Sequence, residues 1–283
     1  MKYFFLFALL VAPILIFPQQ DLLDEIDNDS VGEQFVSAAF KGLKIVNFES
    51  TKLVAKKELT FIVYHRFSSL KNGFDTFFGL DNAVTRLNFV YGVTDNINIG
   101  VSRSSFMKIY DVTIKYRLAH QKESGFPFTI VGFNALLINT GMDKDVFPLI
   151  EFKHRLGYTT QVLVSRKVNS DLTLQFAPTF FHDNYVVFDP QANSQVALGL
   201  GGRYKLGKRW SINADYGLHL NRAENSPFKN PLSVGFDLET GGHVFQMHFS
   251  NAQPMNTNGF LGQATGDWGD GDIYFGFNLS RRF

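Results

Sequence analysis

The stretch that decides the fold is residues 210–220, Trp-Ser-Ile-Asn-Ala-Asp-Tyr-Gly-Leu-His-Leu. Apolar side chains alternate with polar or small ones from Trp210 to His219, with Asp215 among the polar set. An amphipathic helix would repeat its apolar residues every three or four positions, whereas a strand turns successive side chains to opposite faces. The stretch therefore predicts a β-strand with one apolar face and one polar face.

The same alternation recurs along the chain and predicts about twelve strands. They centre on residues 58–68, 84–93, 97–104, 108–118, 128–137, 155–166, 172–180, 195–206, 210–220, 231–239, 243–250 and 272–283. Short and long connections alternate between them, except that 104–107 is short and 119–127 is long. Short turns at one end and longer loops at the other are typical of an up-and-down antiparallel barrel.

The composition of the two strand faces indicates whether the barrel lies in water or in a membrane. The chain has 31 Phe among its 283 residues and is 45% hydrophobic, yet charges stand in the middle of the predicted strands. Apolar faces this large do not fit inside a small soluble barrel, whereas a membrane barrel turns them to lipid and keeps a polar interior. We therefore predict an all-β fold, a transmembrane antiparallel up-and-down barrel in the outer membrane, over a secreted soluble β-domain.

Charge and cysteine content exclude several classes of protein. Lys and Arg total 27 against 26 Asp and Glu, so nothing favours binding to nucleic acid. The chain has no Cys, which excludes disulfides, thiolate metal sites and cysteine nucleophiles. Outside the first twenty residues no apolar run reaches the ~18 residues that a spanning helix needs.

The N-terminus reads as an export signal followed by a short lead segment. Lys2 precedes the apolar run 3–17, so residues 1–20 are predicted to be a signal peptide, cleaved near Gln20. The alternative is an uncleaved membrane anchor. Residues 21–57, acidic at first and basic at 52–57, are expected to form a partly disordered periplasmic segment, with the barrel spanning 58–283.

The last strand carries a pattern that outer-membrane assembly reads. Its outward face is expected to present Phe275, Phe277, Leu279 and Phe283, the residues that we assign to the insertion signal. Arg281 departs from this pattern but can extend toward lipid headgroups. The expected partners are therefore outer-membrane lipid and the barrel-assembly machinery, and any other protein partner stays unidentified. A further irregularity, Pro178, predicts a bulge near the outer rim.

Two C-terminal motifs resemble a known family. They are Glu239-Thr240-Gly241-Gly242-His243-Val244-Phe245-Gln246-Met247-His248-Phe249-Ser250-Asn251 and Thr265-Gly266-Asp267-Trp268-Gly269-Asp270-Gly271-Asp272-Ile273-Tyr274-Phe275-Gly276-Phe277. Over roughly residues 36–283 the chain resembles uncharacterised outer-membrane β-barrel proteins of Gram-negative bacteria. The resemblance implies the location and the fold, and it implies no catalytic residue and no cofactor.

Two residue clusters invite a metal interpretation. His243 and His248 are five apart, so on one strand they point to opposite faces and we assign them no metal. Asp267, Asp270 and Asp272 lie in a Gly-rich stretch, where they either cap turn amides or bind calcium, and both readings stay open.

An enzyme is the least favoured reading. Ser68, His65, His182 and His219 fall near the predicted outer rim, but no local motif joins a serine to a histidine. We therefore expect no catalytic residue.

Charged and polar side chains on the inward faces carry the main functional hypothesis. The predicted lumen set is Arg66, Arg86, Asp111, Lys115, Arg117, Arg203, Lys205, Asp215, Asp237, Glu239, Gln246 and His248. If the charges lie on opposite walls, the barrel is a narrow channel for small polar solutes, which is the leading hypothesis. If they neutralise one another, it is a closed barrel that anchors or scaffolds a partner.

Overall fold

A computed structural model of the chain describes residues 34–37 and 39–283. The predicted signal peptide and most of the acidic stretch that follows it lie outside the described residues. Within them, no helix is long and apolar enough to cross a membrane.

Twelve strands form one closed antiparallel barrel. They are β1 (Leu59–Ser69), β2 (Ala83–Thr94), β3 (Ile97–Ser104), β4 (Ile109–Ala119), β5 (Thr129–Asn139), β6 (Leu156–Lys167), β7 (Leu172–Asp183), β8 (Ser194–Lys205), β9 (Trp210–His219), β10 (Leu232–Thr240), β11 (His243–Ser250) and β12 (Tyr274–Arg282). Each strand pairs with its sequence neighbours, and β12 closes the barrel against β1. The predicted fold and strand number are confirmed, with bounds that differ by a few residues.

The alternation in the sequence becomes the two sides of the wall. In β7, Leu174 and Phe176 are 49% and 42% exposed on the outside, while Thr173 and Gln175 between them are 2% and 4% exposed and point inward. Closure leaves no strand edge unpaired, which is the condition for a sheet to lie in lipid. The aromatic surplus therefore lies on the outer surface, as predicted.

The expected bulge at Pro178 is wrong. β7 keeps one register with β6 on both sides of this residue, from Gln161↔Thr179 to Val164↔Phe176, and its pairing with β8 runs through Pro178 unshifted. Because proline lacks an N–H, it removes a ladder bond without requiring an extra residue. Register shifts occur in three other pairings, β1–β12, β2–β3 and β4–β5.

Both ends of the barrel domain meet at the end that carries the short turns. Leu59 and Phe283 exchange backbone hydrogen bonds of 3.2 and 2.8 Å there. Because outer-membrane barrels have short turns on the periplasmic side, we call this the periplasmic end and the opposite end the outer end. The irregular connections predicted at 104–107 and 119–127 are observed, on the outer and periplasmic ends respectively.

Two segments fill the lumen. The first, residues 39–57, enters from the periplasmic end, and we call it the plug segment. The second, residues 251–266 between β11 and β12, enters from the outer end and contains the short helix α1 (Thr257–Gly262); we call it the inner loop. Their apolar side chains join inward residues of the wall in a buried cluster, Phe48, Val131, Phe133, Leu163, Ala177, Phe181, Ala197, Ala252, Phe260, Leu261 and Ala264.

The plug segment differs from the expected lead segment. Residues 21–57 are predicted to be periplasmic and partly disordered, yet the described part from Phe35 onward forms one compact unit with the barrel. Phe40, Ile45 and Phe48 are each buried. Because exposing such side chains to water costs free energy, they favour the lumen over a free segment.

Candidate functional site

The structure places the predicted lumen residues on the inward faces, at two depths. Buried in the lumen are Arg66, Arg86, Asp111, Lys115, Arg203, Asp215, Asp237, Gln246 and His248. Partly exposed near the periplasmic end are Arg117, Lys205 and Glu239. Most of these buried side chains contact the plug segment, which the sequence does not predict to lie in the lumen.

Asp215 holds the tip of the plug segment. The plug folds back on itself as a small hairpin, in which Ile45 N donates to Phe48 O at 2.9 Å. At its tip the backbone amides of Val46, Asn47 and Phe48 all donate to Asp215 Oδ2, at 3.0, 2.6 and 3.0 Å. Three converging N–H groups form a strong acceptor site for one carboxylate oxygen. This carboxylate of β9 therefore fixes the position of the turn.

Asn47 joins the same tip to two other parts of the lumen. Its Nδ2 donates to Ser233 Oγ at 2.8 Å and to Ser250 Oγ at 3.1 Å, on β10 and β11. Its Oδ1 accepts from Arg66 Nη1 at 2.9 Å. Arg66 also donates to the inner loop, to Ala252 O at 2.6 Å. One arginine thus links the wall, the plug segment and the inner loop.

Glu49 is the charged centre of the plug segment. Its carboxylate lies 3.0 Å from Lys44 Nζ within the plug and 2.8 Å from Lys115 Nζ on β4. Burial opposes its ionised form, but the two ammonium groups outweigh burial and hold the pKa of Glu49 at about 2. Lys115 also donates to Leu43 O and Ser50 O, both at 3.2 Å. The plug is therefore bound to the wall by a charged pair as well as by neutral contacts.

A separate charged pair lies wholly within the wall. Arg86 Nη2 on β2 contacts both carboxylate oxygens of Asp111 on β4, at 2.8 and 2.9 Å. Ser102 Oγ, on the strand between them, donates to Asp111 at 2.6 Å. The lumen charges thus neither divide onto two opposed walls nor pair only among themselves, because several of them are matched by the plug segment.

Neutral side chains complete the plug's attachment. The side-chain amide of Asn98 accepts from Val54 N at 2.7 Å and donates to Val54 O at 2.9 Å. It thereby makes the two hydrogen bonds that the backbone of a neighbouring strand would make to Val54. Thr51 Oγ1 lies 2.6 Å from Ser165 Oγ on β6. The sequence does not predict these contacts, because apolar residues and lysines are mixed in residues 40–47 without a pattern that assigns them a partner.

The plug segment and the inner loop meet inside the lumen. Phe48 and Phe260 pack edge to face with ring centroids 4.9 Å apart, and both side chains are buried. Beside Glu49 and Arg86 the remaining cavity is about 20 Å³, and beside Asn256 it is about 30 Å³. A water needs about 10–15 Å³ of such space, so each of these two cavities takes one or two waters and no larger solute. Among the described residues, the plug segment and the inner loop therefore fill the lumen around Phe48 and Phe260.

The two metal interpretations have simple structural counterparts. His248 points inward with Nε2 2.8 Å from Arg66 Nη2, and His243 lies on the opposite face of β11. Asp267 accepts from Gly269 N at 2.8 Å, and Asp272 accepts from Ser69 Oγ. Across the described residues, no three His, Asp or Glu side chains gather closely enough to hold an ion.

Three of the four residues considered for catalysis have ordinary structural contacts. His65 Nδ1 lies 2.8 Å from Thr85 Oγ1, and His219 Nε2 lies 2.8 Å from Gln195 Oε1. Ser68 contributes a backbone bond to Gly79. None of these contacts joins a serine to a histidine.

The fourth, His182, joins two polar side chains at the outer end. Its Nδ1 lies 2.8 Å from Ser194 Oγ, its partner across the β7–β8 ladder, and its Nε2 lies 2.9 Å from Asn184 Oδ1. Asn184 Nδ2 donates to Lys153 O at 2.6 Å, which orients its oxygen toward the ring. This is the one Ser–His contact that the described hydrogen bonds contain.

The last strand presents its aromatic residues outward as expected. Phe275, Phe277 and Leu279 alternate with the buried positions of β12, and Phe275 stacks on Phe67 with centroids 5.8 Å apart. Phe283 is exposed, with the guanidinium of Arg281 4.9 Å from its ring centroid. The part that these residues play in membrane insertion stays a prediction.

Solved structures with the same architecture are porins and channels. The NanC porin is 9% identical at a TM-score of 0.50, over 78% of this chain and 97% of that one. The KdgM porin is 10% identical at 0.50, over 79% and 99%. An outer membrane channel, COG4313 of Pseudomonas putida F1, is 13% identical at 0.47, over 82% and 97%. At such identities the likeness to the NanC and KdgM porins shows the barrel fold alone.

The family comparison covers plug and barrel together. No functionally curated protein matches the chain. The family model described as a membrane bound beta barrel domain matches residues 40–283, which include most of the plug segment and every strand. The resemblance noted from the C-terminal motifs is thereby confirmed, and the chain belongs to the membrane bound beta barrel domain family DUF5777.

Proposed function

We propose that this protein is a narrow outer-membrane channel for small polar solutes that the plug segment holds closed. The observation that carries the proposal is the way residues 39–57 occupy the lumen. They form no strand of the wall, and they are bound by side chains such as Asp215, Asn98 and Lys115. A segment held in this way leaves the barrel intact when it moves, because every strand keeps both of its neighbours.

The wall behind the plug supports passage of polar solutes. Polar or charged side chains of the wall contact the plug, among them Gln175, Asp215 and Gln246, beside an apolar patch that packs on Phe48. A twelve-stranded barrel is wide enough for a narrow pore once its interior is cleared. The lumen would then offer hydrogen-bond partners and both signs of charge along its length.

The second candidate is a permanently closed barrel that anchors or scaffolds a partner. The observation that favours it is the buried contact between Phe48 and Phe260 inside the lumen. Both candidates are non-enzymatic, and they differ in whether the plug segment leaves the lumen.

Conductance of a plug-anchor variant separates them. We expect D215A in planar bilayers to show discrete openings at least about tenfold more often than the unmodified protein, because hydrogen bonds to a charged group contribute about 1.5–3 kcal/mol each. The matched control is D111A, which removes a lumen carboxylate that contacts only the wall.

The opposite result is equally clear. If D215A folds as a barrel and shows no conductance steps, the channel proposal is wrong and the closed barrel is supported. If D111A opens the pore as often as D215A, anchoring by Asp215 is wrong.

A further inference from the structure

A cavity of about 410 Å³ opens at the periplasmic end, between the plug segment and the wall. Two cations of the plug line it, Lys41 and Lys52, together with five from the wall and its turns, among them Arg117, Lys167 and Arg203. Among the described residues of this lining, Glu239 is the single acid. We call this space the vestibule, and its lining carries a formal excess of positive charge.

Lys41 is paired with the acid, and two other cations of the lining are held by peptide carbonyls. Lys41 Nζ donates to Arg209 O at 2.7 Å and lies 3.3 Å from the one acid, Glu239. Lys167 Nζ donates to Ser37 O at 3.0 Å, and Lys52 Nζ donates to Lys41 O. A peptide carbonyl satisfies a hydrogen bond but brings no net charge, so the vestibule keeps its positive potential.

Lys52 lies close to both cations and carboxylates. Burial is the main cause that lowers the pKa of Lys52; the guanidinium groups of Arg282 and Arg203 lower it further, and the carboxylates of Glu239 and Asp237 oppose them. Like charges facing each other across a partly enclosed space repel, and they attract an anion placed between them.

The size of the vestibule limits what it takes. Its volume equals that of roughly a dozen water molecules. A compact molecule with two or more phosphate or carboxylate groups fits this space, and it would contact cations of the plug and of the wall at once.

We propose that the vestibule binds a small polyanion bearing phosphate or carboxylate groups, and that the bound anion bridges plug and wall and holds the plug segment in place. The second half rests on the proposed channel. A ligand that binds only the docked arrangement stabilises it by mass action. The anion is therefore a regulator of closure.

The test uses the full chain in lipid-free detergent, titrated with inorganic pyrophosphate by calorimetry. We expect saturable binding that is at least about tenfold weaker in the double variant K52Q/K167Q, since the two substitutions each remove an ammonium group of the lining. The matched control is K56Q/K57Q, which removes the same charge from exposed positions at the same end, outside the lining. Loss of binding in both variants, or no saturable binding, overturns the proposal.

A second pair guards against misfolding. If K52Q/K167Q does not assemble, K205Q/K208Q removes two other lining cations and the same tenfold loss is expected. Adding phosphatidylglycerol to the detergent distinguishes the source of the anion. Competition with pyrophosphate identifies a lipid headgroup as a ligand of the site, and undiminished pyrophosphate binding identifies a soluble anion.

Plug retention is read separately from binding and from conductance. Ser50 is buried in the plug and does not line the vestibule, so S50C reports plug movement in a chain without other cysteines. Pyrophosphate should slow labelling of S50C by a thiol reagent severalfold, and this effect should vanish in K52Q/K167Q. Binding without slower labelling would refute the bridge but not the channel, whereas a silent D215A pore would refute the channel but not the anion site.

Discussion

At the scale of single residues, Asp215 shows how one carboxylate organises a segment 167 to 169 positions away in the chain. Its oxygen accepts three consecutive amides of the plug tip, which no side chain of the plug could satisfy together. The alternation of 210–220 predicts that Asp215 points inward, and in the structure it is buried against the plug tip. The partner of Asp215, the plug tip, could not be predicted, because the sequence of a strand does not show which backbone amides its side chains bind.

Ser194 provides the residue-scale test of the non-enzymatic proposal. We expect the purified protein to hydrolyse short-chain p-nitrophenyl esters no faster than S194A. The reason is that Asn184 is neutral and gives His182 no carboxylate to stabilise an imidazolium, and Ser194 is exposed to solvent. Hydrolysis by the unmodified protein that S194A and H182A both abolish would show a serine hydrolase site at the outer end.

At the scale of elements, the strands were predictable and the plug segment was not. A strand in the wall has lipid on one side and the lumen on the other. Apolar and polar side chains therefore alternate along strands such as 172–180. The plug segment is surrounded by protein, so its burial follows individual contacts and no period. Its apolar Phe40, Ile45 and Phe48 are visible in the sequence, but the residues that cluster with Phe48 come from strands β5 to β8 and the inner loop.

Glu49 makes plug docking dependent on pH. Its pKa is about 2 in the docked plug against an ordinary value of 4.5, so its contribution is complete above about pH 5 and falls as pH drops toward 2. The shift corresponds to about 3 kcal/mol. Openings in planar bilayers should therefore become more frequent between about pH 5 and 3.

A matched pair of variants isolates this carboxylate. E49Q should open already at neutral pH, because Lys44 and Lys115 lose their counter-charge. E151Q removes an exposed glutamate at the outer end and should keep the pH response of the unmodified protein. If the openings of E49Q still become more frequent as pH falls, the pH dependence belongs to another titratable group.

At the scale of the whole molecule, barrel and plug act as one domain with separable parts. The wall is complete without residues 39–57, since β1 closes on β12. The family match nevertheless begins at residue 40 and so includes the plug. A closed wall with a side-chain-bound insert is the arrangement that a gated channel requires.

A disulfide between plug and wall tests this claim most directly. Thr51 Oγ1 and Ser165 Oγ are 2.6 Å apart, and the chain contains no other cysteine to compete with T51C/S165C. Introduced into D215A, the oxidised pair should give silent bilayers, and a reductant should restore discrete openings. Single variants T51C and S165C should be indifferent to oxidation. Openings that continue while the cross-link is intact would contradict a plug-gated channel.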